Sequence, residues 1–172
     1  MDLQLIDPCQ DYKDAFLDFY TDFWENDPVN SGFYVEGVRD FERYVMALHA
    51  EAQGIDLLDG HVPCNHYWLV ASGSILGVIR IRHNIESRFL REEAGHIGYD
   101  MAPRFRRMGL GSRMLAIGLK RAAIIGLKRV MISADEDNVA SRNVIESNGG
   151  ILDSIVQGKV FECAIARYWI SL

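Results

Sequence analysis

The chain has 172 residues, 49% of them hydrophobic and 24% charged, an ordinary single-domain size with enough apolar material for one sizeable core. Its net charge of −6 argues against a general nucleic-acid binder, because such binding rests on neutralising phosphates with a basic face. Cys9, Cys64 and Cys163 have no C-x-x-C spacing and no clustered histidine partner, so they suggest neither a disulfide framework nor a metal site and read as free thiols in a reducing compartment. The start, "MDLQLIDPCQDYKDAF", carries acids where a secretory signal has a basic segment, and no stretch approaches about 18 apolar residues. The expectation is one domain over residues 1–172, cytoplasmic, with no membrane and no nucleic-acid partner.

Along the chain, Leu3 to Ile6 predicts a short strand. Tyr12, Ala15, Phe16, Phe19, Tyr20, Phe23 and Trp24 then recur at helical spacing, predicting a helix over 11–25 with an aromatic core face. Val38, Phe41, Tyr44, Val45 and Leu48 repeat the pattern and predict a second helix over 36–52. In "HYWLVASGSILGVIRIRH", two β-rich arms, Tyr67 to Ala71 and Ile75 to His83, flank the turn Ser72-Gly73-Ser74 and read as a hairpin. The polar "NIESRFLREE" reads as a loop. "GHIGYDMAP" is a further strand stopped by Pro103, whose ring cannot continue a ladder.

After it, Gly111, Met114, Leu115, Gly118, Leu119, Ala122 and Ile125 mark the buried face of a long helix closed by Gly126. "KRVMISA" is a buried strand, 139–147 a helix with Asn138 as N-cap, and 151–156 and 160–170 are the last two strands. No linker or repeat divides the chain. The order of elements predicts an α/β (α+β) fold around one largely antiparallel sheet.

Charge is unevenly placed along this order. From Met101 to Ala134 there is no Asp or Glu, and Arg104, Arg106, Arg107, Arg113, Lys120, Arg121, Lys128 and Arg129 give +8, leaving −14 for the rest. The segment opens with "PRFRRMGLGSR", a glycine-containing loop between a strand and a helix. Such a loop offers unpaired N–H groups and the positive end of the helix dipole to an anion, while Gly109 and Gly111 remove Cβ atoms from its path. Adjacent arginines can add charge-assisted bonds to phosphate oxygens. A solvated basic helix face is the competing reading. A dinucleotide fingerprint fails because Met114 stands where its third glycine belongs, and the mononucleotide G-x-x-x-x-G-K-[ST] is absent.

Arg106-Arg107-Met108-Gly109-Leu110-Gly111 resembles the [Q/R]-x-x-G-x-[G/A] hallmark of the GNAT acyltransferase superfamily, and "DNVASRNVIESNGG" resembles its second signature. "GHIGYDMAP", "NGG" and "YWLV" are similar to a bacterial branch of acetyltransferases. The resemblance implies a GNAT-like fold with about seven strands and four main helices, splayed between the fourth and fifth strands. It implies acetyl-CoA as co-substrate and an amine as acceptor, with no metal. The pyrophosphate would sit on the N–H groups of Arg107, Met108, Gly109, Leu110, Gly111 and Ser112, beside Arg106, and the pantetheine arm would pair with the backbone near Met101. Asn138 and Ser141 match positions that contact the CoA arm in the family, although Asn138 also serves as a helix cap.

Acetyl transfer to an amine needs a base for the amine and an acid for the departing thiolate. Many family members place a tyrosine seven residues after the Asn as that acid, and this chain has Ile145 there. Tyr99, two residues before Met101, is the substitute candidate acid. His96 and His83 are candidate bases, and Asp135 can deprotonate or attract an ammonium group. Each of these also has a purely structural reading. The acidity outside the basic segment suits a cationic acceptor such as a polyamine, an aminoglycoside or a basic peptide end. The reading is an acetyl-CoA-dependent N-acetyltransferase acting by direct attack on the thioester. A non-catalytic acyl-CoA sensor and an enzyme using a longer acyl-CoA are the alternatives, and the oligomeric state is open, a homodimer included.

Overall fold

The computed structural model describes residues 2–172. One sheet of seven strands draws on nearly the whole described length: β1 Gln4–Ile6, β2 Cys64–Ala71, β3 Ser74–Arg82, β4 Ile97–Met101, β5 Arg129–Asp135, β6 Ile151–Gln157 and β7 Ala164–Ser171. Their spatial order is β1-β2-β3-β4-β5-β7-β6. Every neighbouring pair is antiparallel except β4 and β5, which run parallel. This is the expected mostly antiparallel sheet.

The helices are α1 Lys13–Asn26, α2 Pro28–Ser31, α3 Val35–Arg39, α4 Phe41–Ala52, α5 Leu110–Ile125 and α6 Val139–Ser147. The expected single helix over 36–52 is two. Asp40 is extended (φ −151°, ψ 91°) and its side chain accepts a hydrogen bond from the Arg43 N–H at 3.1 Å, capping α4 and breaking the run. The apolar spacing runs on across that break, which hid it, and Val38 is exposed. Short α2 was not anticipated. Trp24 also lies outside the α1 core face, exposed and stacked on Tyr20. The β2/β3 turn is the two residues Ser72 and Gly73, both at positive φ (49° and 78°), the chirality that suits the twist of a two-residue hairpin. The last strand begins at Ala164, since residues 158–163 form a loop instead.

Two cores flank the sheet. On one face α1 and α4 bury Phe16, Phe19, Phe23, Phe41 and Val45 against Trp68, Val70 and Val78. On the other, α5 and α6 bury Met114, Leu115 and Ile145 against Leu69, Ile79, Ile81 and Tyr168. Gly118 lets α5 approach β3, because a Cβ there would come within 2.4 Å of Ile79 Cδ1. No helix among the described residues is long and apolar enough to cross a membrane.

Gly95, just before β4, has φ 68°, and a Cβ there would lie 2.5 Å from the Met131 carbonyl oxygen of β5. Backbone has no flexible end to yield. Gly95→Ala is expected to lower unfolding free energy by about 2 kcal/mol or more. Gly126→Ala, at φ 102° but in open space, is expected to lose about 1 kcal/mol. Urea unfolding of both variants checks the order.

Candidate functional site

The two central strands separate above a single contact. Arg82 N–H donates to the His96 carbonyl at 2.8 Å and Ala102 N–H to the Leu76 carbonyl at 2.9 Å. This alternation sends the backbone bonds of even-numbered residues in β4 to β3, so Ile97, Tyr99 and Met101 direct theirs toward β5. There β5 meets β4 only at Ile97↔Ile132, while it pairs with β7 along all of Arg129–Asp135. The N–H groups of Tyr99 and Met101 and the Tyr99 carbonyl therefore face a gap with no strand opposite. The Met101 carbonyl accepts from Arg106 Nε at 3.0 Å.

The loop after β4 is fastened from beneath by α1. Asp22 accepts the Arg104 N–H at 2.9 Å and pairs with its guanidinium at 3.3 Å. Arg106 Nη2 donates to Asp27 at 2.6 Å, with its guanidinium over the Phe23 ring. Burial opposes ionisation of Asp27, but the Asn30 amide and Arg106 outweigh it and hold its carboxyl below the usual value. Two of the four arginines in "PRFRRMGLGSR" are thus committed to the fold, and Arg107 and Arg113 remain exposed. Arg107 (φ 61°) and Gly109 (φ 71°) are left-handed, and turns containing such residues can present successive N–H groups to an anion. The first intrahelical bond of α5 is Arg113 N–H to the Gly109 carbonyl, and no backbone acceptor takes the N–H groups of Arg107, Met108, Gly109, Leu110, Gly111 or Ser112 among the described residues. Gly109 is required by its φ. A Cβ at Gly111 would meet only ordinary contacts at 3.5 Å from Met101 and Val144.

The second signature braces this loop. Asn148 donates to the Ser112 carbonyl at 3.2 Å and to its hydroxyl at 3.0 Å, and the hydroxyls of Ser112 and Ser147 lie 2.9 Å apart. Gly150 sits where a Cβ would reach within 2.4 Å of Ile145 Cγ2. Ile145 is fully buried in the core beneath α6. Asn138 Oδ1 accepts the Ser141 N–H at 3.0 Å, the N-cap expected for α6.

A cavity of about 630 Å³ passes through the strand gap. Tyr99 and Ser141 line it from the α6 side, and Arg80, Arg82, Gly98 and Asp100 from the α1 side. The Tyr99 hydroxyl donates to the Ser141 carbonyl at 3.2 Å, and burial pushes its pKa up to about 12. Asp135 lies at the rim and accepts from the Cys163 thiol at 3.3 Å. His96 does not line the cavity. Its Nδ1 accepts the Met131 N–H at 3.0 Å, its ring edges against Trp169, and burial, reinforced by Arg82 and Arg129, lowers its pKa to about 4. His83 is paired with Asn65 at 2.6 Å. No group of three or more metal-ligating side chains occurs among the described residues.

Sequence reasoning missed the charged wall of this cavity. Arg80 pairs with Asp100, which also accepts the Tyr34 hydroxyl at 2.7 Å. Glu51 pairs with His66 at 2.6 Å. The Glu93 carboxylate accepts the N–H groups of Lys159, Val160 and Phe161 at 3.0 to 3.1 Å, closing the 158–163 loop over the far end. The signal was charge at alternate positions of buried strands, in "VIRIR" and "GYDM".

The sequence profile described as "Acetyltransferase (GNAT) domain" matches residues 14–151. No curated protein sequence matches the chain significantly. Among solved structures, the microcin C7 self-immunity acetyltransferase MccE, in complex with acetyl-CoA and AMP, superposes with a TM-score of 0.70 at 15% identity, over 99% of this chain and 93% of its own. RimL, a ribosomal L7/L12 α-N-protein acetyltransferase in complex with coenzyme A, gives 0.71 at 16%, over 99% and 94%. RimJ of Mycobacterium smegmatis, in complex with a CoA disulfide, gives 0.72 at 17%, over 98% and 81%. At these identities the likeness is one of fold.

The depressed His96 pKa carries a sign. The unfolded chain binds the imidazole proton from about pH 6.5 downward and the folded chain only from about 4, so stability falls as pH drops through that window. At pH 5 the expected loss from this group is roughly 2 kcal/mol relative to pH 7. Urea unfolding at both pH values, with His96→Asn declining less steeply than the wild type, checks it.

Proposed function

Because the chain belongs to the GNAT acetyltransferase family, we propose that it moves the acetyl group of acetyl-CoA to a primary amine of a small molecule or peptide by direct attack inside the β4/β5 gap. The observation that carries this reading is the succession of three features along the chain from β4 into α5: a cavity at the gap lined by Tyr99, the unpaired backbone of Tyr99 and Met101, and the unpaired N–H groups from Arg107 to Ser112. A pyrophosphate suits the last, with Arg107 and Arg113 free to add charge. An amide-bearing pantetheine arm suits the second, because it can supply the hydrogen bonds that a neighbouring strand would have made. Complexes of MccE and RimL with acetyl-CoA or coenzyme A support the same assignment.

In this arrangement the thioester carbonyl lies at the Met101 N–H. A neutral amine entering from the α1 side attacks the carbonyl carbon, the oxygen takes the π electrons and becomes an oxyanion, and the N–H stabilises it. Collapse re-forms the carbonyl and expels the CoA thiolate, while the nitrogen loses its proton to Asp135 or solvent. Ile145 is sealed in the core and supplies no acid. Tyr99 reaches the first turn of α6 from the strand instead. With a pKa of about 12 the phenol holds its proton more tightly than a thiol of about 8.5, so its role is to stabilise the forming thiolate by a hydrogen bond. Positioning and oxyanion stabilisation supply most of the rate.

Thiol release from acetyl-CoA over an amine panel tests the reaction. Tight CoA binding with no amine-dependent release contradicts it. Gly109→Val, straining a left-handed residue of the loop, is expected to weaken CoA binding by about tenfold or more. Tyr99→Phe is expected to lower kcat by about tenfold or more while leaving CoA affinity within about twofold. Calorimetric titration with CoA and steady-state kinetics separate the two effects.

A further inference from the structure

Two charged side chains of the cavity, Arg82 and Asp135, have no salt-bridge partner among the described residues and only one side-chain hydrogen bond each. Asp100 is neutralised by Arg80, Glu51 faces His66 and His61, and Glu93 is satisfied by three backbone N–H groups. Arg82 has no carboxylate within ion-pair distance among the described residues, and one side-chain hydrogen bond, from Nη1 to the Gly95 carbonyl at 3.1 Å. A guanidinium has five N–H donors. Glu51 acts on Arg82 only from beyond ion-pair distance, and the nearby Cys64 has its pKa pushed up to about 12 by burial and stays a neutral thiol. Asp135 has no cationic partner among the described residues and accepts only the Cys163 thiol.

The placement of these two groups is specific. Gly98 lies opposite Arg80 in the β3/β4 register, and an atom at its Cβ position would be 3.6 Å from Arg80 Nε and 4.0 Å from Arg82 Nη1. Both guanidiniums therefore lie over the strand residue that precedes Tyr99, at the edge of the gap. Across the gap β5 runs parallel, level at Ile97 and Ile132, and strand alternation puts Ser133 and Asp135 on the face shared with Gly98 and Asp100. A cavity with an unmatched cation on one wall and an unmatched anion on the other fits a molecule that carries both charges.

We propose that Arg82 is an acceptor-binding residue that pairs with a carboxylate, so that the acceptor is an amino acid or similarly short amino carboxylate and not a polyamine or simple amine. The inference rests on the acetyltransferase reading and specifies its substrate class. A carboxylate held over Gly98 leaves the amine of a short molecule at the gap, where the thioester is presented, with Asp135 drawing in its ammonium form. Arg80 is consumed by Asp100, which leaves one guanidinium, that of Arg82, available to an anion and suits a single carboxylate. Phe33, Phe89 and Phe161 add apolar wall for a side chain. This acceptor differs from the cationic one that the overall acidity of the chain suggested.

The test uses the full chain saturated with CoA and does not require turnover. Binding of N-acetyl derivatives of the common amino acids is measured by calorimetry beside the matching N-acetyl amino amides, in which the carboxylate is replaced by an uncharged group of the same shape. The expected result is a preference of tenfold or more for the acid in at least one pair. Arg82→Gln is expected to erase that preference and Arg82→Lys to keep part of it, with CoA affinity retained in both as the check on folding. Equal binding of acids and amides, or binding of none, overturns the inference. So does tighter binding of N-acetyl phosphoethanolamine than of every acid. If amine-dependent thiol release occurs without any acid preference, the acetyltransferase reading stands and the carboxylate subsite falls. Acid-selective binding without thiol release for any amine has the opposite meaning.

Discussion

Two strands that run side by side in the middle of a sheet normally hydrogen-bond along their length, and β4 and β5 are held to one bridge, Ile97↔Ile132. Below it they are pressed together, with Gly95 against the Met131 carbonyl and the His96 N–H donating to that carbonyl at 2.8 Å. Above it they part, because β5 stays with β7 while β4 stays with β3. Separation exposes backbone polar groups in the interior, which is costly unless something else completes them. The cavity, the unpaired groups of Tyr99 and Met101, and the approach of the Tyr99 hydroxyl to α6 all follow from this one divergence.

A second constraint orients the loop above the gap. The acids of α1 and of the residue that follows it belong to an acidic part of the chain and the arginines to a basic one, and the two meet at Asp22 with Arg104 and Asp27 with Arg106. The partly exposed pairs add modest stability, but Asp22 is buried and holds a backbone N–H, which fixes where the chain leaves β4. From there the left-handed Arg107 and Gly109 turn it into α5. On the far side, Asn148 and Ser147 of the second signature grip Ser112. The loop is thus tied from both faces of the sheet, with its N–H groups left free between the ties.

Much of this was legible in the residues. Helical spacing located α1 and α5, the Asn138 cap located α6, and the glycine-containing stretch located the loop, because all three depend on local geometry. The break at Asp40 was hidden because apolar spacing continued through an N-cap. The roles of Arg104 and Arg106 were hidden because their partners lie 82 and 79 residues away. His96 read as a candidate base until its ring nitrogen was found holding the Met131 N–H. Arg80, Arg82 and Asp100 carried a readable signal, charge alternating within apolar strands, but which charges cancel depends on the strand register. Register is a property of the assembled sheet.

The most direct measurement is an amide-resolved titration of the protein with CoA and then acetyl-CoA by NMR. The account predicts the largest shifts at the N–H groups of Arg107 through Ser112, together with Tyr99 and Met101, and a further change at Met101 when the acetyl group is present. Shifts confined to other surfaces, with the amides of Tyr99 and Met101 unmoved at saturation, would contradict it.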